Sequence, residues 1–135
     1  MRSATWFRKP LEASLSPRIV SLLGTVIEEL RKHPDDDYVV PKFIAKSIGE
    51  SEISVVTALR YLEKAGIAKQ WFGVFCGTTH IPLDQYPSAS LIPESLPCQK
   101  CEEDHRASDD TFKVQIFFTV NRQKLNNFDL QDLAA

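Results

Sequence analysis

At 135 residues and a formal net charge of −2, the chain has room for one modest core, or one core plus a small appendage. Its apolar fraction of 43% fits a globular protein, and no stretch reaches the roughly 18–20 apolar residues of a membrane span. Three cysteines, an odd number, argue against a disulfide framework. The first residues carry Arg2, Arg8 and Lys9 but no apolar signal-peptide segment, so a reducing, cytoplasmic compartment is expected. Charge is uneven: residues 1–15 hold three basic groups and one acidic, residues 16–75 eight of each, and residues 76–135 five basic and nine acidic. A nucleic-acid binder usually concentrates basic residues on one face, and the composition shows no such excess.

Residues 1–15 read as an N-terminal arm. Ser16-Pro17 has the chemistry of a helix start, a hydroxyl cap followed by proline at the first helical position. Ile19, Leu22, Leu23, Val26, Ile27 and Leu30 follow at helical spacing, and His33-Pro34 stops the run. His33 is expected to sit favourably at that helix end. Asp35-Asp36-Asp37 reads as a solvated turn, lacking the further spaced oxygens of a calcium loop. Tyr38 to Val40 is expected to be a short strand, the first of a three-stranded sheet, and Pro41 opens a second helix. Ala45 and Ile48 close it, Gly49 tolerates the positive φ of a helix end, and Ser51 caps a third helix. Val55, Ala58, Leu59 and Leu62 face inward. Gly66 ends this helix, and Ile67 to Val74 reads as strand.

The stretch after Gly66 is rich in Trp71, Phe72 and Phe75, with Gly73 or Gly77-Thr78-Thr79 available for a turn. Residues 82–97, with four prolines and three serines, read as loop. Phe112, Val114, Ile116, Phe118 and Val120 alternate as a strand, with Lys113, Gln115 and Thr119 on the other side and Phe117 interrupting the polarity. Asn127 is read as the cap of a last short helix containing Leu130 and Leu133.

The residues Ala45, Ile48, Gly49, Ser51, Ser54, Val55, Leu59, Leu62, Gly66 and Ile67 resemble the winged helix-turn-helix family. The resemblance covers about residues 16–76. It implies an α+β fold in which residues 16–80 form a winged helix, three helices plus a small β-wing. A Cys-containing loop and a short β segment, residues 81–135, would follow. It further implies a DNA-binding protein of transcription regulation, whose third helix presents outward residues to the major groove. The candidate contacts are Ser51, Ser54, Thr57, Arg60 and Lys69. The residue chemistry pulls the other way: Glu50 and Glu52 put negative charge where a phosphate would sit, and Ile53 and Val56 are apolar on a face that should be wet. The alternative is a protein–protein interaction or adaptor module that docks through Ile53, Val56, Trp71 and Phe72. Ile53 and Val56 packing beneath the C-terminal half is a third reading. A homodimer is left open.

Cys98-Gln99-Lys100-Cys101 is a C-x-x-C pair, which places two thiolates on one tight knuckle. Cys76 and either His105 or His80 would complete a tetrahedral structural zinc site and tie down a long loop. The competing readings are ordinary thiols in a loop with Cys76 buried in a strand, or a redox pair, which would need a helix start in a βαβ setting. Enzymatic activity is not expected. None of the five glycines builds a phosphate loop, and the Cys76–His80 spacing carries no nucleophile signature.

Overall fold

A computed structural model describes residues 16–109 and 111–130; the N-terminal arm and Leu133 lie outside these residues. Helix α1 (Pro17–Lys32) begins where Ser16 Oγ accepts the Ile19 N–H at 3.3 Å, so the hydroxyl satisfies one of the donors a helix start leaves free. Its stripe of Leu23, Val26, Ile27 and Leu30 is buried. After the exposed aspartates, α2 (Pro41–Ile48) ends at Gly49 with φ 74°. A side chain there would meet nothing within 4 Å, so glycine serves the left-handed backbone rather than a close approach. Ser51 accepts the Ser54 N–H and opens α3 (Glu52–Lys64), whose Val55, Ala58, Leu59 and Leu62 are all fully buried.

Gly66 and Ile67 lead into β1 (Ala68–Cys76), the middle strand of an antiparallel sheet. On one side lies β2 (Pro82–Tyr86). On the other lies β5 (Phe112–Val120), paired in unbroken register from Ala68 opposite Val120 to Cys76 opposite Phe112. Between β2 and β5 the chain forms a separate hairpin of β3 (Ser95–Cys98) and β4 (Glu103–Arg106). Helix α4 (Arg122–Asn126) follows β5. The protein is therefore mixed α+β, with four α-helices and two small antiparallel sheets among the described residues.

Strand alternation gives the larger sheet two faces. Its inner face divides along its length. Ala68, Ile116 and Phe118 join Val39, Ala45, Leu125 and the buried stripes of α1 and α3 in one core. Val74 and Phe112, towards the other end, join Leu96 of the hairpin in a second, much smaller cluster. The division of the chain at residue 80 thus passes between strands of one sheet.

Three local expectations are corrected. Residues 38–40 do not form a strand; Val39 alone bridges to Phe118, each N–H donating to the other's carbonyl at 2.8 Å. Residues 82–97 are not loop throughout, for Pro82–Tyr86 and Ser95–Cys98 are strands. Pro82 begins β2 and β2 is a sheet edge, positions where a missing N–H costs no ladder bond. Among the described residues, Asn127 does not cap the last helix. Asn121 does, accepting the Lys124 N–H at 3.0 Å, and Asn127 closes the other end.

Two polar braces fasten the helical half. Arg31, in the last turn of α1, donates to the carbonyls of Leu125 and Phe128 at 2.8 and 2.9 Å. Arg122, in the first turn of α4, donates to the carbonyls of Leu30 and Asp36 at 2.7 and 2.8 Å. Each arginine so adds a charged donor to a carbonyl in the last turn of the other's helix and ties down a residue that lies beyond that helix's end. The nearly buried Glu29 carboxylate accepts from Ser47 Oγ at 2.7 Å and faces His33 Nε2 at 3.2 Å, joining α1 to α2. His33 is thus held by a carboxylate four residues back, a partner the helix-end reading did not name.

Candidate metal centre

Each of the four residues reaches one point from a different place on the chain. Cys76 is the last residue of β1, where Gly77-Thr78-Thr79 turns the chain and the His80 N–H bonds the Cys76 carbonyl at 2.9 Å. Cys98 is the last residue of β3 and Cys101 lies in the turn that follows. Glu102 closes that turn at φ 58°, a left-handed conformation that costs a non-glycine residue some strain. His105 lies on β4 opposite Leu96 of β3 and is buried. Sequence distance is overcome by two pairings: β1 with β5, which brings Cys76 beside Phe112, and β3 with β4, which folds His105 back over the cysteines.

The ligand atoms of Cys76, Cys98, Cys101 and His105 all lie within 4.8 Å of one another. Cys76 Sγ is 3.7 Å from Cys101 Sγ and 3.3 Å from His105 Nε2. The four side chains could hold a metal ion. All three cysteines are free thiols, Cys76 and Cys98 buried and Cys101 partly so. His80, the other candidate for the fourth position, is exposed on a left-handed backbone and is not in the cluster.

The surroundings treat the sulfurs differently. The Thr79 hydroxyl and then the Thr79 backbone N–H pull the Cys76 thiol down to about 5, against the opposing effect of burial. Of these two donors the backbone N–H has the well-formed geometry, at 3.3 Å; the hydroxyl completes no hydrogen bond. The neighbouring Cys76 sulfur, then burial, push the Cys101 thiol up to about 11. Cys76 is therefore the sulfur whose setting favours the anion, and an anion is the form that ligates metal. His105 Nδ1 is buried with no partner among the described residues, so no carbonyl or carboxylate there fixes the ring.

The quartet Cys76, Cys98, Cys101 and His105 was legible from spacing. Thr79 was not, because its part is played by a backbone N–H that any residue but proline supplies. The aromatic residues of the alternative docking surface divide. Alternation sends Trp71 and Phe72 to opposite faces of the sheet, both half-buried. Ile53 is 80% exposed, so it does not pack beneath the C-terminal half, while Val56 is half-buried. Phe43 on α2, at 66% exposure, is an exposed apolar residue the helical pattern did not single out.

The hydroxyls proposed for DNA contact are occupied locally. Ser51 Oγ donates to Ser54 Oγ at 2.9 Å while accepting the Ser54 N–H, and Thr57 Oγ1 donates to the Ile53 carbonyl at 2.9 Å. Lys69 Nζ lies 4.3 Å from the centre of the Trp71 ring. Arg60 is exposed. No helix among the described residues is long and apolar enough to cross a membrane. No protein-family model, curated protein or solved structure matches the chain.

Proposed function

We propose that the chain is a non-catalytic, zinc-stapled winged-helix module that docks another protein through the outer face of α3. The winged-helix reading is supported by the order helix, Gly49 turn, capped helix and antiparallel sheet, with β1 and β5 as the wing strands. The zinc reading is supported by the donor set, three sulfurs and one imidazole, which suits zinc better than a hard cation. Tetrahedral zinc with Zn–S about 2.3 Å and Zn–N about 2.05 Å separates sulfurs by about 3.8 Å and sulfur from nitrogen by about 3.6 Å. The two closest contacts, 3.7 and 3.3 Å, fall near those values. Zinc here would hold structure; all four positions belong to the protein, leaving none for a substrate. Three reduced thiols suit a cytoplasmic home.

The single observation that carries the docking reading is Ile53 at 80% exposure in the first turn of α3, next to Glu52 and one turn before Thr57, whose hydroxyl donates to the Ile53 carbonyl. An isoleucine there offers an apolar anchor, while Glu50 and Glu52 repel a phosphate backbone. The DNA reading retains one favourable observation, the exposed Arg60 on the same helix.

Affinity capture with the native chain and with Ile53→Asp, alongside duplex DNA titrations at low and moderate salt, tests the choice. Docking through Ile53 predicts a protein retained by the native chain and lost with Ile53→Asp, because the carboxylate would be buried without a partner. Retention should be little changed by salt, since apolar burial is hardly screened. Tight duplex binding that falls steeply with salt and disappears with Arg60→Ala would replace this reading with the DNA one.

A further inference from the structure

Strand β5 is an edge of the larger sheet, and part of that edge is unpaired. Two sets of bonds fix which of its backbone groups point outward. Phe118 exchanges both of its backbone bonds with Val39 at 2.8 Å, on the side away from β1. The Thr111 carbonyl, just before the strand, accepts the N–H of Gly77, just after β1. In an antiparallel ladder these directions alternate along the chain. Lys113, Gln115 and Phe117 therefore bond towards β1, while Val114 and Ile116 turn their N–H and C=O groups outward. None of those four groups has a partner among the described residues.

The opening has a cause in the sequence. Val39 lies antiparallel to Phe118, and in that register Pro41 would fall opposite Ile116. Proline has no N–H to give, and the chain starts α2 there instead. A cleft of about 580 Å³ is lined by Lys113, Val114, Gln115 and Ile116. Side chains of consecutive strand residues point to opposite faces, so a cleft touched by all four runs along the edge itself. Val114 is 47% exposed, an apolar side chain beside open backbone groups. Lys42 of α2 and Glu52 of α3 also line the cleft. Lys42 and Lys113 are exposed, and neither has an ion-pair partner among the described residues. Glu52 is the one carboxylate of the lining against these two ammonium groups.

The geometry points to a strand-addition site, independent of the function proposed above: the free edge of β5 takes an extended acidic segment of a partner protein as a further antiparallel strand. The backbone of that segment exchanges bonds with Val114 and Ile116, and main-chain pairing supplies the affinity. A carboxylate opposite Lys113 pairs with it across the strands, and Lys42 draws a second from the helical side. The same lysines argue against a second copy as the occupant. A copy would bring its own Lys42 and Lys113 against this pair, which is how edge lysines ordinarily keep a sheet from pairing with itself.

The test is a titration of the full chain, isotope-labelled, with acetylated and amidated peptides Thr-Val-Xaa-Xaa-Val-Thr in which both Xaa are Glu, Gln or Lys. With Glu, the amide resonances of Val114 and Ile116 should shift saturably and exchange more slowly with solvent. The Gln peptide should bind roughly fivefold more weakly, since two exposed ion pairs are lost, and the Lys peptide more weakly still. Lys42→Gln with Lys113→Gln should bring the Glu and Gln peptides together. In an added strand only alternate N–H groups face β5. N-methylation of alternate residues of the Glu peptide should therefore abolish binding in one phase and spare it in the other. Val114→Pro removes an outward N–H without breaking a bond to β1, and should abolish binding at an unchanged melting temperature. The methylated peptides give the same reading on the native chain should that variant fail to fold. Shifts absent from Val114 and Ile116 with every peptide, a Lys peptide binding as tightly as the Glu one, or the two methylated phases behaving alike would overturn the proposal. So would duplex DNA that shifts the same amides more strongly than the Glu peptide, or dimerisation of the chain through this edge.

Discussion

The helical half and the Cys/His hairpin are held by different means although one sheet runs through both. The first rests on a core shared by α1, α2, α3, α4 and the near ends of β1 and β5. The second has three buried apolar residues, Val74, Leu96 and Phe112, beneath a hairpin of four-residue strands. Conformational entropy costs both halves about the same per residue. Apolar burial offsets it in the first and cannot in the second, as happens generally when little core is available. A hairpin of that size is marginal by itself, and a metal ion held by the clustered thiols and imidazole would be an additional fastening.

The largest effect should come from breaking that fastening. Purified protein should contain close to one zinc per chain by elemental analysis, and Cys98→Ser or Cys101→Ser should lose it. Because ligation free energy acts as folding free energy at such sites, residues 77–111 should then lose protection from hydrogen exchange while α1 and α3 keep theirs. Metal-free protein with native protection in the hairpin and an unchanged melting temperature would remove the distinction between the two halves.

The same comparison predicts the converse for the apolar core. Leu59→Ala should destabilise by about 2–5 kcal/mol, the usual cost of emptying a fully buried leucine site. Denaturant titration should show this loss with the zinc content unaltered. Arg60→Ala, the neighbour on the exposed face, should stay within about 0.5 kcal/mol. Equal costs for the two would mean that α3 presents a different face to the core.

A smaller effect is expected from the arginine braces. Arg122→Ala abandons the carbonyls of Leu30 and Asp36 and should cost about 1.5–3 kcal/mol, the range for a hydrogen bond to a charged group. Exchange at the end of α1 and in α4 should rise, and exchange in the hairpin should not.

The smallest effect is one of pH. The Ser47 hydroxyl, against burial and with help from His33, holds the Glu29 carboxyl below its ordinary value. A lowered folded value contributes stability that is fully present above the unfolded value, about 4.3, and is lost as pH falls through the lowered one. Ser47→Ala should therefore be less stable than the native chain at pH 7, and the difference should shrink towards pH 3. A difference in melting temperature that is constant over this range would show that Ser47 does not act through the Glu29 charge.

The two halves also differed in how well the sequence foretold them. The helical half was legible because helices are local. Ser16 and Ser51 cap the helices as expected, Gly49 takes positive φ, and the stripe Val55, Ala58, Leu59 and Leu62 is buried as its spacing requires. The sheet was less so, because pairing is a long-range matter. Phe112–Val120 read correctly as a strand, but nothing in its alternation says that it lies against β1, from which 35 intervening residues separate it. Prolines hid β2, and Tyr38 to Val40 carried strand-forming residues whose contact with β5 is a single bridge. The Cys/His cluster could be named because C-x-x-C is itself a local pattern. The row of Gly73, Gln85 and Gln115 across the sheet could not, because these residues become neighbours only through the register of three strands.

Cys76 and Phe112 face each other across adjacent strands. The segment from residue 77 to residue 111 therefore leaves β1 and rejoins the sheet at the same rung on β5, laying β2 along the far edge of β1 on its way. In the wiring of the fold this is a detour, and a two-residue turn could join its ends into an ordinary hairpin. A lineage or a designer could excise the Cys/His hairpin together with β2, or splice in another insert, without rerouting β1 and β5, which complete the helical core.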